Sequence, residues 1–586
     1  MAPIQPQYHS LGALLQGRLF RIPDYQRAYS WETTQRKDLF DDINKLVDKN
    51  SERHHFMAAV VCLLKNEKEE VGTDEFGVYD VVDGQQRLTT LVILFKALEK
   101  ILAKPADNDA QKMDKVDAAN ELNKILLKGN DNRLILLQTN HESQIIFRKY
   151  IEDGKIPDKH KVVTLAEKNL VNAFTECESF VKEWETDKDK KKGALKLFKI
   201  LKNRLDFIFY TLDDEGAVYT VFEVLNSRGL DVDWLDKSKS LLMSIPFEKL
   251  SQPIRDETTK MLHAHWGKIY QIIGVREVPG DEILRFSATL MCEDPQSKIF
   301  SAEKATEYFR EYCQKLPQSV VNISSWFIDV AQKLKELYKN PRRKAVTEIS
   351  QARLLAVAIM LNSSFSEAEK DLLLNEWEKV TFRVYGMSGN DARKKVGDYT
   401  RLAHKIYRVE LGESVDKIRK QIRELGSDCS IENALEQVKN RDCYNGWEVE
   451  LRYFMYCYEK HLASLAGVNI NLDRWSEIWD DSPSTTIEHI HPQVSNSYNL
   501  PQHWKGKIPG NKEFIEKQTH RLGNLMLLPP DINLSAGNRP FDEKKIEYKK
   551  HYLHFMDEIL AVDDWNIESI NEREIKLLKW ARENWN

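Results

Sequence analysis

The stretch from Val78 to Leu102 limits what this chain can build more than any other. A short apolar strand, Val78 to Val82, runs into the polar turn Asp83-Gly84-Gln85-Gln86-Arg87, and an apolar helix, Leu88 to Leu102, leaves it. Such a turn aims backbone N–H groups and a helix N-terminus at one spot, which is how proteins hold phosphate. Gly84 lets the backbone approach closely, and Arg87 can grip a phosphate with two parallel hydrogen bonds. A plain strand-turn-helix connection with a surface arginine is the competing reading, and the companions of this turn decide between the two.

At 586 residues the chain is too long for one core, so about two to four domains are expected. Hydrophobic residues at 42% and charged residues at 30% describe a soluble, largely folded protein. The formal net charge of -5 provides no global basic field, so contact with nucleic acid must use local patches. The seven cysteines are scattered and contain no C-x-x-C pair, which points to reduced thiols rather than a disulfide framework or a thiolate zinc site. No run approaches the length of a membrane span and the first residues lack a secretory pattern, so a cytoplasmic protein without a membrane partner is expected.

Two further clusters resemble the central turn in composition. In Ile22 to Trp31, the aromatics Tyr25, Tyr29 and Trp31 alternate with Gln26 and Arg27, a surface that can stack on a base and hold a phosphate. A helix should follow from about Glu32, capped by Ser30 or Thr33. Val218 to Leu225 reads as a helix ending at Asn226-Ser227-Arg228-Gly229, where Gly229 fits a C-cap and Asn226 and Arg228 stand at the element end. Asp236 and Lys239 on the next helix are either supports for this site or an exposed charge pair. The polar stretches Lys104 to Asn120 and Glu185 to Gly193 read as solvated loops or helix ends. Three clusters that pair Arg with Asn or Gln are better explained by one anionic ligand than by coincidence.

These three motifs, with Ile22-Pro23-x-Tyr25-Gln26-Arg27, Asp83-Gly84-Gln85-Gln86-Arg87-Leu88-Thr89-Thr90-Leu91 and Phe222-Glu223-x-x-Asn226-Ser227-Arg228-Gly229-Leu230, resemble the N-terminal half of the GmrSD family. That half is similar in fold to the ParB/sulfiredoxin group, and the resemblance implies binding and hydrolysis of a nucleoside triphosphate. The nucleotide-binding residues it implies are Tyr25, Gln26, Arg27, Asp83, Gly84, Gln85, Gln86, Arg87, Asn226 and Arg228. No Walker A pattern occurs, so any NTPase activity must use this other cradle.

From Phe247 to Ile470 the periodicity is helical. Within it, Asp391 to Arg408 forms an amphipathic pattern whose basic stripe, Arg401, Lys405 and Arg408, is either a phosphate track for DNA or an ordinary solvated face.

The second strong signal begins at Thr486-Ile487-Glu488-His489-Ile490-His491-Pro492-Gln493. His520-Arg521-Leu522-Gly523-Asn524-Leu525 follows, then Asn533, Asn538 and the segment leading to Lys544 and Tyr548. Two apolar strands with polar ends, then a helix, is the ββα-metal plan of HNH nucleases. That chemistry needs a hard divalent cation against the scissile phosphate and a neutral imidazole to take a proton from water. Glu488 and Asn533 offer a carboxylate and an amide oxygen suited to Mg²⁺ or Mn²⁺. A pair of structural histidines or a zinc site are the alternatives for His489-x-His491.

This end resembles the C-terminal half of the GmrSD family, with its E-H-I-x-P-Q and H-x-L-G-N-L patterns. The resemblance implies His489 as general base, Asn524 as the residue fixing the loop or orienting that imidazole, and Glu488 and Asn533 as metal ligands. His520, Asn538 and Lys544 match as accessory positions, and Lys544, Lys545, Lys549 and Lys550 can contact the DNA backbone. Glu at 488, where many such sites carry Asp, adds a methylene to the metal geometry.

The expected architecture is therefore α+β, helix-rich and multidomain: a ParB/sulfiredoxin-like nucleotide-binding and DNA-sensing domain over 1–245, a helical middle region over 246–470, and an HNH nuclease domain over 471–586. The resemblance implies a type IV, modification-dependent anti-phage endonuclease whose partners are modified phage DNA and a nucleoside triphosphate, with a homodimer as one expected assembly. A non-catalytic sensor of nucleotide or modified DNA, and a modification-independent nickase or toxin, are the other classes that the motifs allow.

Overall fold

The computed structural model describes residues 7–23, 26–47, 54–71, 73–105, 109–128, 134–139, 144–158, 161–186, 193–212, 234–274, 278–295, 297–408, 414–493 and 500–586. It is helix-rich with a mixed sheet, and it divides into two compact units. One holds residues 1–288 and 301–331, the other residues 289–300 and 332–586, so the helical stretch 246–470 is shared between them.

The first unit is built on a six-stranded sheet in the order Gln7–Ser10, Leu205–Leu212, His55–Val71, Asp74–Asp83, Arg18–Arg21, Leu137–Gln138. The two long strands pair antiparallel, while Leu205–Leu212 joins one and Arg18–Arg21 the other in parallel. Strand alternation sends Val60, Cys62, Val81, Phe207 and Phe209 into the main core. Val61, Leu63, Val82 and Leu212 gather in a second, smaller cluster.

Helix Gln85–Leu102 leaves the sheet directly after Asp83 and is apolar almost all round, as a helix covered on every side must be. Helices Lys112–Leu126, Leu165–Glu185 and Ala194–Arg204 pack against it. Ala118, Ala119 and Leu122 supply the buried stripe of the first of these, so part of the stretch expected to be solvated is a packed helix. Each fully buried Leu or Phe of this core contributes roughly 1.5–3 kcal/mol by leaving water. Helix Thr33–Asn44 is capped by Glu32, through a reciprocal capping box with Gln35, rather than by Ser30 or Thr33.

The second unit is mainly helical, with one antiparallel pair, Ile487–His489 against Leu525–Leu527. Helices Pro530–Ala536 and Phe541–Tyr548 follow that pair, and the long helix Ile567–Trp585 covers the turn before its second strand. That cover is close: a Cβ on Gly523 would lie 2.2 Å from the Ile570 carbonyl oxygen, so only glycine fits. Buried Arg573, from the same long helix, donates to the carbonyls of Gly523 and Leu525 at 2.9 and 2.8 Å. Phe382–Met387 is a π-helical turn at the end of helix Glu367–Thr381.

Among the described residues no helix is long and apolar enough to cross a membrane.

Candidate functional site

In the first unit, Gly84 caps the central helix at φ +92°, a left-handed conformation that other residues rarely adopt. A Cβ there would meet the Ala59 carbonyl oxygen at 3.2 Å, so the turn is tight on both counts. Segment 26–31 lies beside it, and the three glutamines expected to bind nucleotide fasten the segment to the turn. Gln26 Nε2 donates to the Val82 carbonyl at 2.9 Å and its Oε1 accepts from Gln85 Nε2 at 3.0 Å. Gln86 Oε1 accepts from the Ser30 backbone N–H at 2.8 Å, and its Nε2 donates to the Ala28 carbonyl at 3.1 Å. Buried Lys239 donates to the Gln26 carbonyl at 3.2 Å, which makes it a support of this segment rather than part of an exposed charge pair.

Tyr29 and Trp31 are core residues, 5% and 8% exposed, and Tyr29 shares a 2.8 Å hydrogen bond with Thr90. They are therefore not a stacking surface. The arginines differ from the glutamines. Arg27 and Arg87 are half-buried and form no ion pair within 4 Å among the described residues. Burial lowers both pKa values, opposed for Arg27 by Asp236 and Asp83, and for Arg87 by Asp83 and Asp42. Burial also raises the Asp83 carboxyl, against the Gly84 N–H and both guanidinium groups. Arg87 sits 5.8 Å from the Trp31 ring. Two guanidinium groups drawn partly out of water beside a helix N-terminus form an incomplete charge arrangement that an anion would complete. Tyr25, Asn226 and Arg228 lie outside the described residues.

In the second unit, Asn524 is fully buried and every polar atom of its side chain is engaged. Its Nδ2 donates to the His491 and Thr519 carbonyls at 2.9 and 2.8 Å. Its Oδ1 accepts from the His491 N–H at 2.8 Å and Trp565 Nε1 at 3.0 Å. Of the two roles expected for it, the geometry is that of fixing the loop after His489; it does not touch the imidazole.

His489 is buried, and its Nε2 has no partner. Its Nδ1 lies 3.0 Å from the Gln493 side-chain amide, and the rings of Tyr444 and His520 stand 4.5 and 5.2 Å away. Burial, assisted by the nearby charge of His520 and Lys544, holds its pKa well below the usual histidine range, so the ring is neutral. Burial likewise lowers His491 to about 4.

Glu488 points toward helix Phe541–Tyr548. Its Oε1 accepts from Lys544 Nζ and from the Tyr548 hydroxyl, each at 2.7 Å. Lys544 is fully buried and also donates to the His489 and Ile490 carbonyls at 2.8 and 3.1 Å, so it is an internal tie and not a DNA contact. Burial raises the Glu488 carboxyl and lowers the Lys544 ammonium, while each opposes that effect in the other. Asn533 anchors to the same strand, with Nδ2 donating to the Thr485 and Ile487 carbonyls at 2.9 and 3.1 Å. For a hard cation this leaves two oxygens without side-chain donors among the described residues, Glu488 Oε2 and Asn533 Oδ1. That donor set suits Mg²⁺ or Mn²⁺, which take few protein oxygens and keep much of their water. No group of three or more His, Cys, Asp or Glu poised for a metal occurs among the described residues.

His520 is bound by a residue that the sequence motifs did not point to: its Nδ1 lies 3.0 Å from Asp442 Oδ2. Asp442 stands in a loop 78 residues earlier, which no local spacing could connect to the motif. Asn538 is exposed, and its backbone carbonyl accepts from His503 at 3.0 Å. Of the lysines beyond Lys544, Lys545 donates to the Val562 carbonyl and Lys550 to Glu547, while Lys549 is exposed.

The basic stripe lies on helix Val396–Tyr407 and just beyond it. Arg401 pairs with Asp398 at 2.7 Å and donates to Ser297, and Arg408 donates to the Cys292 carbonyl. These two arginines hold segment 291–297, and Lys405 alone of the three stands exposed without such a contact.

Residues 11–243 match the family model for the GmrSD restriction endonuclease, N-terminal domain, and residues 428–580 match that for the GmrSD restriction endonucleases, C-terminal domain. No curated protein matches the chain. With the arginine-flanked turn inside the first match and the paired strands of His489 and Leu525 inside the second, the chain belongs to the GmrSD restriction endonuclease family.

Proposed function

We propose that this protein is a type IV restriction enzyme, in which the C-terminal site cuts modified phage DNA with a divalent metal and a nucleoside triphosphate held in the first unit controls that cutting. The observation that carries the nuclease half is the His489 ring: buried, neutral, with one nitrogen steadied by Gln493 and the other without a partner. A neutral imidazole fixed at one nitrogen is prepared to accept a proton at the other. Gln493 Nε2 stands 3.0 Å from His489 Nδ1, so the base role requires the Gln493 amide to turn its oxygen to Nδ1–H, which leaves the lone pair on Nε2. Asn524 holds the backbone that follows this imidazole, and Lys544 ties the strand that carries it to helix Phe541–Tyr548. Glu488 Oε2 and Asn533 Oδ1 would hold Mg²⁺ or Mn²⁺, which supplies positive charge against the phosphate when bound.

The nucleotide half rests on Arg27 and Arg87, two half-buried cations beside the Gly84 turn that form no ion pair among the described residues. A phosphate chain there completes a charge arrangement that the protein leaves open. We assign a ParB/sulfiredoxin-like fold to the first unit and an HNH fold to the strand pair of the second, supported by the strand-turn-helix at Gly84 and by the helices that follow Leu525–Leu527.

The test is cleavage of DNA carrying glucosylated or methylated cytosine, DNA with sulfur in its backbone, and unmodified DNA. Each is incubated with Mg²⁺, with and without a mixture of the four nucleoside triphosphates. Selective, nucleotide-responsive cutting that is lost in His489→Ala supports the reading. Equal cutting of all four DNAs replaces restriction by general nuclease activity, and turnover of nucleotide without any cutting replaces it by a sensor.

A further inference from the structure

A cleft of about 560 Å³ lies beside the nuclease site, lined among others by Lys439, Arg441, Asp442, Asn445, Lys517 and His520. Lys439 and Lys517 are exposed, which gives the cleft a cationic rim suited to a phosphate backbone. His520 is the residue of this lining whose ring also neighbours His489, at 5.2 Å.

The His520 ring is held from outside its own motif. Its Nδ1 lies 3.0 Å from Asp442 Oδ2 and 3.2 Å from Asn445 Nδ2, so both contacts fall on Nδ1 and Nε2 is the nitrogen left for a ligand. Asp442 is itself fixed, with Oδ1 accepting from the N–H groups of Tyr444 and Asn445 at 3.0 and 2.8 Å and Oδ2 from Asn445 Nδ2 at 2.8 Å. Burial would raise this carboxyl, but the bonds from Asn445 and His520 bring it below its usual value, so it stays charged. The loop behind it is anchored to the π-helical turn, where the Gly386 carbonyl accepts from Arg441 Nη1 at 3.0 Å and Trp447 Nε1 at 2.8 Å. The Cys443 N–H donates to the His520 carbonyl at 2.9 Å, closing loop and histidine into one unit. A π-turn that braces a loop carrying polar side chains is a common mark of a functional site.

A carboxylate on Nδ1 fixes the orientation of the ring, so that Nε2 is the nitrogen presented to whatever occupies the cleft. We propose that His520, positioned by Asp442, is the general acid of phosphodiester cleavage, acting opposite the base His489. This rests on the nuclease reading above. Water attacks phosphorus, and its new O–P bond forms as the P–O bond to the leaving nucleoside breaks. His489 takes one proton from the water, and Nε2–H of His520 goes to the leaving oxygen, so the products are a phosphate monoester and a hydroxyl. Exchange with solvent returns both rings to their starting states. Two imidazoles whose rings stand 5.2 Å apart, one held at Nδ1 by Gln493 and the other by Asp442, supply one position for a base and one for an acid. The charged groups around His520 are Lys439, Arg441 and Asp442 from the loop, Glu516, Lys517 and Arg521 from its own segment, and His489 from the strand.

The experiment compares two substrates that differ in their need for an acid, with Mn²⁺ present throughout. Phage DNA leaves as an alkoxide that must gain a proton; bis(p-nitrophenyl) phosphate leaves as a phenolate that need not. His520→Asn is expected to slow DNA cutting about a hundredfold and to keep hydrolysis of the small ester within about threefold of the parent. Asp442→Asn should slow DNA cutting about tenfold and keep hydrolysis of the small ester near the parent rate, with DNA affinity unchanged. His489→Ala should stop both substrates. Parent-like DNA cutting by His520→Asn, or equal losses on both substrates at an unchanged melting temperature, overturns the acid role. A parent protein that cuts neither substrate overturns the nuclease reading instead.

Discussion

The two candidate sites handle charge in opposite ways. Around Gly84 the amides of Gln26, Gln85 and Gln86 are used internally, while Arg27 and Arg87 stand half-buried without ion pairs among the described residues. Around His489, Lys544 pairs with Glu488 and Asp442 with His520, and the groups without a partner among the described residues include the neutral ring nitrogens His489 Nε2 and His491 Nε2. The first site is short of negative charge and the second is short of a proton. A site of the first kind binds an anion through charge; one of the second kind does chemistry once a substrate supplies water and phosphate.

The contrast is broken most directly at His489. His489→Ala should lower DNA cutting at least about a thousandfold while leaving nucleotide turnover intact, read from parallel assays on one preparation. Loss of both activities would show that the sites are not chemically separate. Next in size is Arg87→Ala, expected to weaken nucleotide binding by about ten- to a hundredfold, measured by titration calorimetry. Unchanged affinity would remove the anion site.

Gln86→Ala sharpens the same comparison. It leaves the Ser30 N–H and Ala28 carbonyl without their partner and should cost about 2 kcal/mol of stability, seen in denaturant melts, beyond any effect on affinity. A large affinity loss at unchanged stability would return Gln86 to the ligand-binding set.

Acid should also separate the two regions. Buried His491 has its pKa lowered to about 4, so between about pH 6.5 and 4 the unfolded chain binds the extra proton. Stability from this residue is therefore fully present above that window and is lost as pH falls through it. Asp83 has the opposite sign: its carboxyl is raised by burial, so acid relieves a cost in the first unit. Hydrogen exchange at pH 7 and pH 5 should show faster opening around 487–493 than around 81–90. The smallest effect is expected at Lys405→Ala, no more than about twofold in DNA affinity, because one exposed lysine is one screened phosphate contact.

The elements that recur locally were legible in the sequence. The strand ending at Asp83, the apolar helix after Gly84 and the paired strands around Glu488 and Leu525 all follow from patterning over a few residues. The helical nature of 246–470 followed from periodicity, although its division between two units did not. What local patterning could not supply was the partner of each polar group. Gln26 and Gln86 look like ligand residues because they flank arginines, yet their acceptors, the Val82 and Ala28 carbonyls, lie 56 and 58 positions away in a backbone that only the fold brings near. Glu488 reads as a carboxylate with both oxygens open, yet Lys544, 56 residues later, takes its Oε1. Asp442 carried no signal, since an aspartate in a polar loop is ordinary until His520 is placed beside it. Arg401 and Arg408 read as a basic stripe because periodicity reports a face and not what that face meets.

The π-turn at Phe382–Met387 bears on how this chain tolerates changes of length. A π-turn completes its revolution with one residue more than the α-helical turn it replaces, so deleting one residue there would restore regular winding and draw the carbonyls of the turn back into the α-helical ladder. The Gly386 carbonyl would swing away from Arg441 and Trp447 and leave the loop of Asp442 and Tyr444 without its anchor. A point substitution elsewhere in that helix alters one contact, whereas a single-residue deletion at this turn moves two side chains of the nuclease site without touching either.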